Sequence, residues 1–254
     1  MIVGIERAGE TGLERFRLAQ RALPGLDLAE VSLRTRLLGA ELAAPVLLVG
    51  DCARTATEHG LGLIANELAP DRPPLWLASC DVTELRRDGA ERLVAGLEAD
   101  GLVIQLNGMA DPRMRGATEA IAAVAGRLAP LPVMVRGGGY GLDAADVREL
   151  VAAGVGAIDV GGATRPGWGI PTADAVAEAV LAAPGRPVLA EVTGAIDAAK
   201  CLALGATAVS LAGEDVATVL EELRLALWAV GVRTPSSLTP GHLRQPEPWR
   251  PPPA

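Results

Sequence analysis

The sequence predicts a single-domain α/β fold, an eight-stranded parallel (β/α)8 barrel of the TIM type, on three observations. Eight short apolar runs punctuate the chain, at residues 45–49, 61–65, 75–78, 102–106, 133–135, 157–160, 188–190 and 208–212. Stretches with alanine and leucine at helical spacing lie between most of them, over residues 82–99, 118–128, 142–153, 173–181, 195–204 and 215–230. Eight such units in 254 residues match the usual size of the closed barrel, whereas a doubly wound open sheet, built from the same elements, does not call for eight.

The unit from Pro132 to Gly162 sets the pattern. Val133 to Val135 ends in glycines, the helical stretch from Leu142 opens with Asp143 as N-cap, and Ala157 to Val160 forms the next run. Two buried parallel strands joined by a helix is the economical reading. Residues 1–36, amphipathic and polar, read as a helical cover for one mouth, and residues 37–232 as the barrel. Residues 233–254, proline-rich and ending Trp249-Arg-Pro-Pro-Pro-Ala, read as a mobile tail with too little apolar surface to order itself. Between Ala65 and Leu75 the segment Asn66-Glu-Leu-Ala-Pro-Asp-Arg-Pro-Pro is too short and proline-rich for a full helix.

Composition narrows the function classes. Half the residues are hydrophobic, enough for one large core, and no apolar run nears the roughly 18 residues of a membrane span. The N-terminus shows no basic region followed by an apolar segment, so a cytoplasmic protein is expected. A formal charge of -8 with scattered arginines argues against nucleic acid as a partner. Cys52, Cys80 and Cys201 are too few and too far apart for a disulfide framework or a zinc site and read as buried hydrophobes. Lys200, the only lysine, lies within a helical pattern, which disfavours Schiff-base chemistry. His59 and His242 are poorly placed to serve as general bases.

In a barrel, chemistry collects where strands end and the following loops begin. That rule selects Asp51, Cys52, Ser79, Asp81, Gln105, Asn107, Arg136, Asp159, Glu191, Thr193 and Ser210. Arg136 near Asp159 and Glu191 sets a permanent cation among carboxylates, which either holds a phosphate and tunes an acid or closes the barrel mouth as a structural ion-pair network. Gly137 to Gly139 and Gly161 with Gly162 either bring backbone amides to a phosphate or serve as plain turn chemistry.

Several segments carry a resemblance: Leu38-Gly-Ala-Glu-Leu-Ala-Ala-Pro45, Ala99-Asp-Gly-Leu-Val-Ile-Gln-Leu-Asn107, Pro132-Val-Met-Val-Arg-Gly-Gly-Gly-Tyr-Gly141, Gly154-Val-Gly-Ala-Ile-Asp-Val-Gly-Gly162, Trp168-Gly-Ile-Pro-Thr172 and Ala198-Ala-Lys-Cys-Leu-Ala-Leu-Gly-Ala206. In order and spacing the chain resembles the FMN-dependent type 2 isopentenyl diphosphate isomerases, as a shortened and divergent member. The resemblance implies a flavin barrel in which reduced FMN acts as acid and base on a five-carbon diphosphate held by Mg2+. Asn107 matches the end of the family's His-Leu-Asn, Arg136 stands where the family has a lysine near the flavin ring, and Asp159 with Gly161 matches its Asp-Val-Gly. On this basis Asp159, Glu191 and Asn107 are the expected catalytic residues. Arg136, Arg165, Gln105, Arg113 and Arg115 are expected to bind substrate, Gly161, Gly162, Ser79, Thr193 and Gly194 the cofactor, and Asp111 the metal.

The departures cluster where the chemistry is expected. Gln105 replaces the histidine, Gly50-Asp-Cys-Ala replaces Met-Thr-Gly-Gly, and Ala65-Asn-Glu-Leu replaces Gly-Ser-Gln-Arg. Only Ala163-Thr-Arg-Pro-Gly stands in for a much longer loop, and Glu191-Val-Thr-Gly-Ala-Ile replaces the phosphate-binding Ser-Gly-Gly-Ile-Arg. Two classes of function follow. One is a divergent enzyme acting on an isoprenoid diphosphate by proton-initiated chemistry, a double-bond shift or a carbocation rearrangement. The other is a catalytically silent barrel kept as a binding or partner subunit. A small-molecule isoprenoid diphosphate is the expected partner, membranes and nucleic acids are not, and assembly into a homo-oligomer is left open. The altered loop also predicts a protein that purifies colourless, without FMN.

Overall fold

A strand covered on one face by a barrel interior and on the other by helices is apolar at nearly every position, and each of the eight runs becomes such a strand. The structure is a computed structural model describing residues 11–66, 72–86, 89–107, 114–162, 168–212 and 215–245. In chain order the barrel strands are β1 (Val46–Val49), β2 (Gly62–Ile64), β3 (Leu75–Asp81), β4 (Gly101–Leu106), β5 (Val133–Gly137), β6 (Ala157–Asp159), β7 (Val188–Val192) and β8 (Ala208–Leu211). Each pairs in parallel with its sequence neighbour, and β8 returns to β1 with Val209 opposite Val46, closing the ring. The surrounding helices are α1 (Ala53–His59), α2 (Gly89–Leu97), α3 (Ala117–Leu128), α4 (Ala144–Ala152), α5 (Thr172–Ala182), α6 (Ala195–Ala203) and α7 (Val216–Val230). Asp143 caps α4 as its sequence implies, its carboxylate accepting from the amides of Ala145 and Asp146 at 2.8 and 2.7 Å.

Strand alternation sorts the core into two compartments. Leu47, Ile64, Leu75, Leu77, Val103, Met134, Ala157, Leu189 and Ala208 fill the barrel, while their neighbours, such as Leu48, Leu63, Ile104, Val135 and Ile158, face the helices. The amino-terminal mouth is closed by an antiparallel hairpin, Thr35–Leu37 with Ala40–Leu42, whose Leu37 and Leu42 join the interior cluster.

Within residues 11–36, the described part of the expected helical cover over 1–36, no α-helix plugs this mouth; residues 1–10 lie outside the described residues. Residues 11–34 hold two short 3-10 turns and the strand Arg17–Leu18, with no α-helix. Their backbone groups are committed elsewhere: the Arg21 amide donates to Ala229, the Ser32 amide to Arg233, and the Trp228 indole to the Leu26 carbonyl. The expectation of a mobile tail is likewise corrected for residues 233–245. Leu243–Arg244 pairs antiparallel with Arg17–Leu18, and Leu238 and Leu243 are buried. A partner strand from the other end of the chain supplies the order that composition alone did not show. Residues 246–254 lie outside the described residues.

Two connections bear on the carboxyl mouth. No helix joins β2 to β3 among the described residues. Instead the Asn66 amide brackets Ser79, donating to its carbonyl at 2.6 Å and accepting from its amide at 2.7 Å, while the Trp76 indole bonds the Ala65 carbonyl at 3.1 Å. After β3, the stretch expected as one helix begins as a 3-10 turn, Val82–Arg86, and α2 starts only at Gly89. The Asp81 carboxylate takes both the amide and the hydroxyl of Thr83, a local bond that competes with α-helical geometry.

Candidate functional site

Two residues beyond each apolar interior position, the same alternation turns Ser79, Gln105, Arg136, Asp159, Glu191 and Ser210 toward the barrel axis at its carboxyl mouth. A polar layer thus caps an apolar one. Its centre is Arg136, whose side chain is only 8% exposed. The guanidinium NH2 group donates to Glu191 at 2.7 Å, and Nε lies 3.6 Å from Asp159. Burial by itself pushes the guanidinium pKa down, but the charges of Asp159 and Glu191 and the bond to Glu191 outweigh it and hold the pKa above its usual value.

The two carboxylates differ in kind. Asp159 is fully buried, accepting from the Gly161 amide at 2.8 Å through one oxygen and from the Ser210 hydroxyl at 3.0 Å through the other. Its lone pairs are committed to holding Arg136 and the β6 turn in place. Glu191 is 29% exposed on its side chain, so solvent or a ligand reaches it. Of the two, only Glu191 is placed to exchange a proton.

Gly138 and Gly161 at this mouth are packing glycines. Gly161 adopts a φ of +70°, and a Cβ there would lie 2.6 Å from the Gly137 carbonyl oxygen; a Cβ on Gly138 would meet the Leu106 carbonyl oxygen at 2.1 Å. The Gly161 amide, expected to face a cofactor, is spent on Asp159. Gly162 lies alongside Glu191, and Gly194 is the N-cap of α6 with no side-chain cap. Thr193 is exposed beside it.

Beside the Arg136 network an open cleft of about 380 Å3 is lined by Asn66, Ser79, Cys80, Asp81, Glu84, Gln105, Asn107 and Gly138. Gln105 connects the two regions, since it is the register partner of Arg136 and donates to the Ser79 hydroxyl at 3.1 Å. Asn107 therefore shares the mouth with Arg136, Asp159 and Glu191 but lines the cleft rather than joining their network. Arg115 is exposed ahead of α3, while Asp111, Arg113 and Arg165 lie outside the described residues. Asn66, although it directly follows the run 61–65, was read as part of the proline-rich connection, and Glu84 lies inside a predicted helix, so both escaped the sequence-based selection. Ser210 stood at a predicted strand end, yet only its bond to Asp159 gives it a role. Cys80 is the buried hydrophobe expected, its thiol pushed up to about 12 by burial and by the charges of Glu84 and Asp81.

Fold and mouth together define a (β/α)8 barrel with a charged carboxyl face, and solved structures agree on the fold. A soluble mutant of (S)-mandelate dehydrogenase from Pseudomonas putida matches with a TM-score of 0.76 at 18% identity, over 93% of this chain and 89% of the other. The flavin-binding domain of baker's yeast flavocytochrome b2 matches with a TM-score of 0.74 at 16% identity, over 93% and 77%. No protein-family model matches the chain. Among curated proteins, an isopentenyl-diphosphate delta-isomerase from Stutzerimonas stutzeri is 31% identical over 317 aligned positions, 92% of this chain and 91% of its own length. One from Cronobacter sakazakii is 30% identical over 321 positions, 94% and 92%. The chain belongs to the type 2 isopentenyl-diphosphate delta-isomerase family. The alignments are longer than its 254 residues, so it is a shortened member.

The cofactors that the resemblance implies meet a changed site. Glu191 points into the mouth, drawn inward onto Arg136, which leaves Thr193 and Gly194 open. That end is compatible with a phosphate. The Arg136 end does not suit an anionic reduced flavin, because this buried guanidinium is already shared by two carboxylates. Among the described residues no three His, Cys, Asp or Glu side chains converge on a site for Mg2+, and Asp159 and Glu191 are both engaged by Arg136. No helix among the described residues is long and apolar enough to cross a membrane.

Proposed function

We propose that this chain acts on a small isoprenoid diphosphate by proton-initiated chemistry without a flavin, with Arg136 as the anion anchor and Glu191 as the acid and base. The observation that carries the reading is the 2.7 Å contact between a buried guanidinium and a solvent-reachable carboxylate at the carboxyl mouth of an isomerase-family barrel. Arg136 grips the diphosphate, with Arg113, Arg115 and Arg165, the further substrate-binding residues expected from the sequence, as its helpers. Asp159, fixed by Ser210 and the Gly161 amide, orients the guanidinium and does not touch substrate. Gln105 and Asn107 offer amide groups to the rest of the ligand from the adjoining cleft.

In a double-bond shift, protonated Glu191 donates to the terminal alkene carbon, the π electrons form the new C–H bond, and a tertiary carbocation results. Loss of a proton from the neighbouring carbon to the carboxylate restores the double bond and the acid, with the diphosphate unchanged. The alternative, a silent barrel serving as a partner subunit, is favoured by one observation: the Arg136 network is complete without a ligand. Incubation of the flavin-free protein with isopentenyl diphosphate, followed by proton NMR, tests the proposal. Formation of the dimethylallyl isomer supports it. Unchanged substrate at high enzyme concentration favours the silent barrel.

A further inference from the structure

We infer that Glu191 is a tethered competitor for the anion site and thereby sets which anions this barrel accepts. The inference rests on the reading of Arg136 as the anchor, and it adds a specificity device to that reading. Arg136 is buried, its side chain 8% exposed, between two carboxylates of unequal access: Asp159, itself fully buried, lies 3.6 Å from Nε, while Glu191, 29% exposed, takes the NH2 group at 2.7 Å. The position that a ligand oxygen would take is thus held by an oxygen of the chain itself.

A free carboxylate or other small monoanion gains nothing by replacing it. The incoming group makes the same kind of bond, while the resident one is covalently held nearby at an effective concentration on the order of millimolar or more. A ligand displaces Glu191 only if it brings additional charge or contacts, as a diphosphate does with its several oxygens. Displacement leaves Arg136 paired with Asp159, so the buried cation keeps a partner throughout the exchange. Selection for polyanions is therefore built into β7, three residues before the α6 N-cap Gly194.

The test uses the full chain with inorganic pyrophosphate and acetate as probes in isothermal titration calorimetry. Glu191→Ala removes the competitor. Glu191→Gln keeps its shape but replaces the anion with a neutral acceptor. Both are checked by thermal unfolding, and either alone decides the question if the other fails to fold. Expected is a gain of about tenfold or more in pyrophosphate affinity, the scale of one charged hydrogen bond no longer displaced, larger for the alanine variant. Acetate, without measurable binding to the natural chain, should bind Glu191→Ala, so that the preference for pyrophosphate narrows. Adding Arg136→Met to Glu191→Ala should abolish the gain. Folded variants with unchanged or weaker pyrophosphate binding would overturn the inference, as would a gain that survives loss of Arg136. A gain in affinity alongside a natural chain that leaves isoprenoid diphosphates untouched would sink the proposed activity and leave this inference standing.

Discussion

Replacing Arg136 by methionine, similar in length but uncharged, tests whether the mouth is held by charge compensation. At 3.6 Å and an effective dielectric of 20, the attraction between Arg136 and Asp159 is about 4 to 5 kcal/mol before the opposing cost of burying both groups. Removing one partner strands the other, and Asp159 is fully buried; stranding of this kind typically costs about 3 to 5 kcal/mol. Glu191 adds little to that figure because it is partly exposed and regains water. In a chain of this size the loss corresponds to a fall in Tm of roughly 6 to 20 °C. The diagnostic comparison is the double variant Arg136→Met/Asp159→Asn. If the cost comes from the stranded charge, neutralising Asp159 restores about 2 kcal/mol, making the double variant more stable than Arg136→Met alone. Urea unfolding of the four proteins of this cycle measures the effect. A double variant that loses the sum of the two single effects would refute the reasoning and show that Arg136 matters for packing alone.

Three further outcomes follow from the same geometry. The protein should purify colourless and release no stoichiometric flavin on denaturation, because the buried Arg136 guanidinium is already neutralised by Asp159 and Glu191; a yellow preparation would restore an FMN-dependent mechanism. Burial and the neighbouring carboxylates hold the Cys80 thiol at about 12, and burial with Asp197 raises that of Cys201, so both stay protonated below about pH 9. Only the half-buried Cys52 should react with a thiol reagent at pH 8, as counted by mass spectrometry, and two or more rapid modifications would contradict this. Gly138→Ala should destabilise by about 2 kcal/mol or more, since its Cβ would stand 2.1 Å from the Leu106 carbonyl oxygen and one of the two strand ends must move. An unchanged unfolding midpoint would show that the β4 and β5 ends are free to separate.

The barrel was legible because parallel strands buried on both faces write continuous apolar runs, and all eight coincide with observed strands. Asp143 was readable as a cap for a local reason: its acceptors and donors lie within three residues. What escaped depends on pairing across long separations. The tail strand Leu243–Arg244 is ordered by Arg17–Leu18, more than 200 residues away, and the mouth plug is a hairpin whose two leucines fill the barrel rather than an amphipathic helix. At the site, strand ends placed Arg136, Asp159 and Glu191 together correctly, because side chains of one parity on neighbouring parallel strands turn to the same mouth. Which carboxylate would be saturated and which reachable was not readable. That division rests on Ser210 and the Gly161 turn, neither of which is charged. The glycines were ambiguous for a related reason: close strand-to-strand approach, as at Gly138 and Gly161, and phosphate binding demand the same residue.

The central claim, that Glu191 exchanges a proton with a ligand anchored on Arg136, is tested most directly by deuterium incorporation. The flavin-free natural chain and its Glu191→Gln variant are incubated with isopentenyl diphosphate in D2O, and the recovered five-carbon diphosphates are analysed by mass spectrometry and NMR. The account predicts deuterium in the methyl group formed from the terminal alkene carbon with the natural chain, and loss of that exchange by about a hundredfold or more in the variant. Deuterium incorporation that persists undiminished in Glu191→Gln, or that requires added FMN in the natural chain, would contradict it.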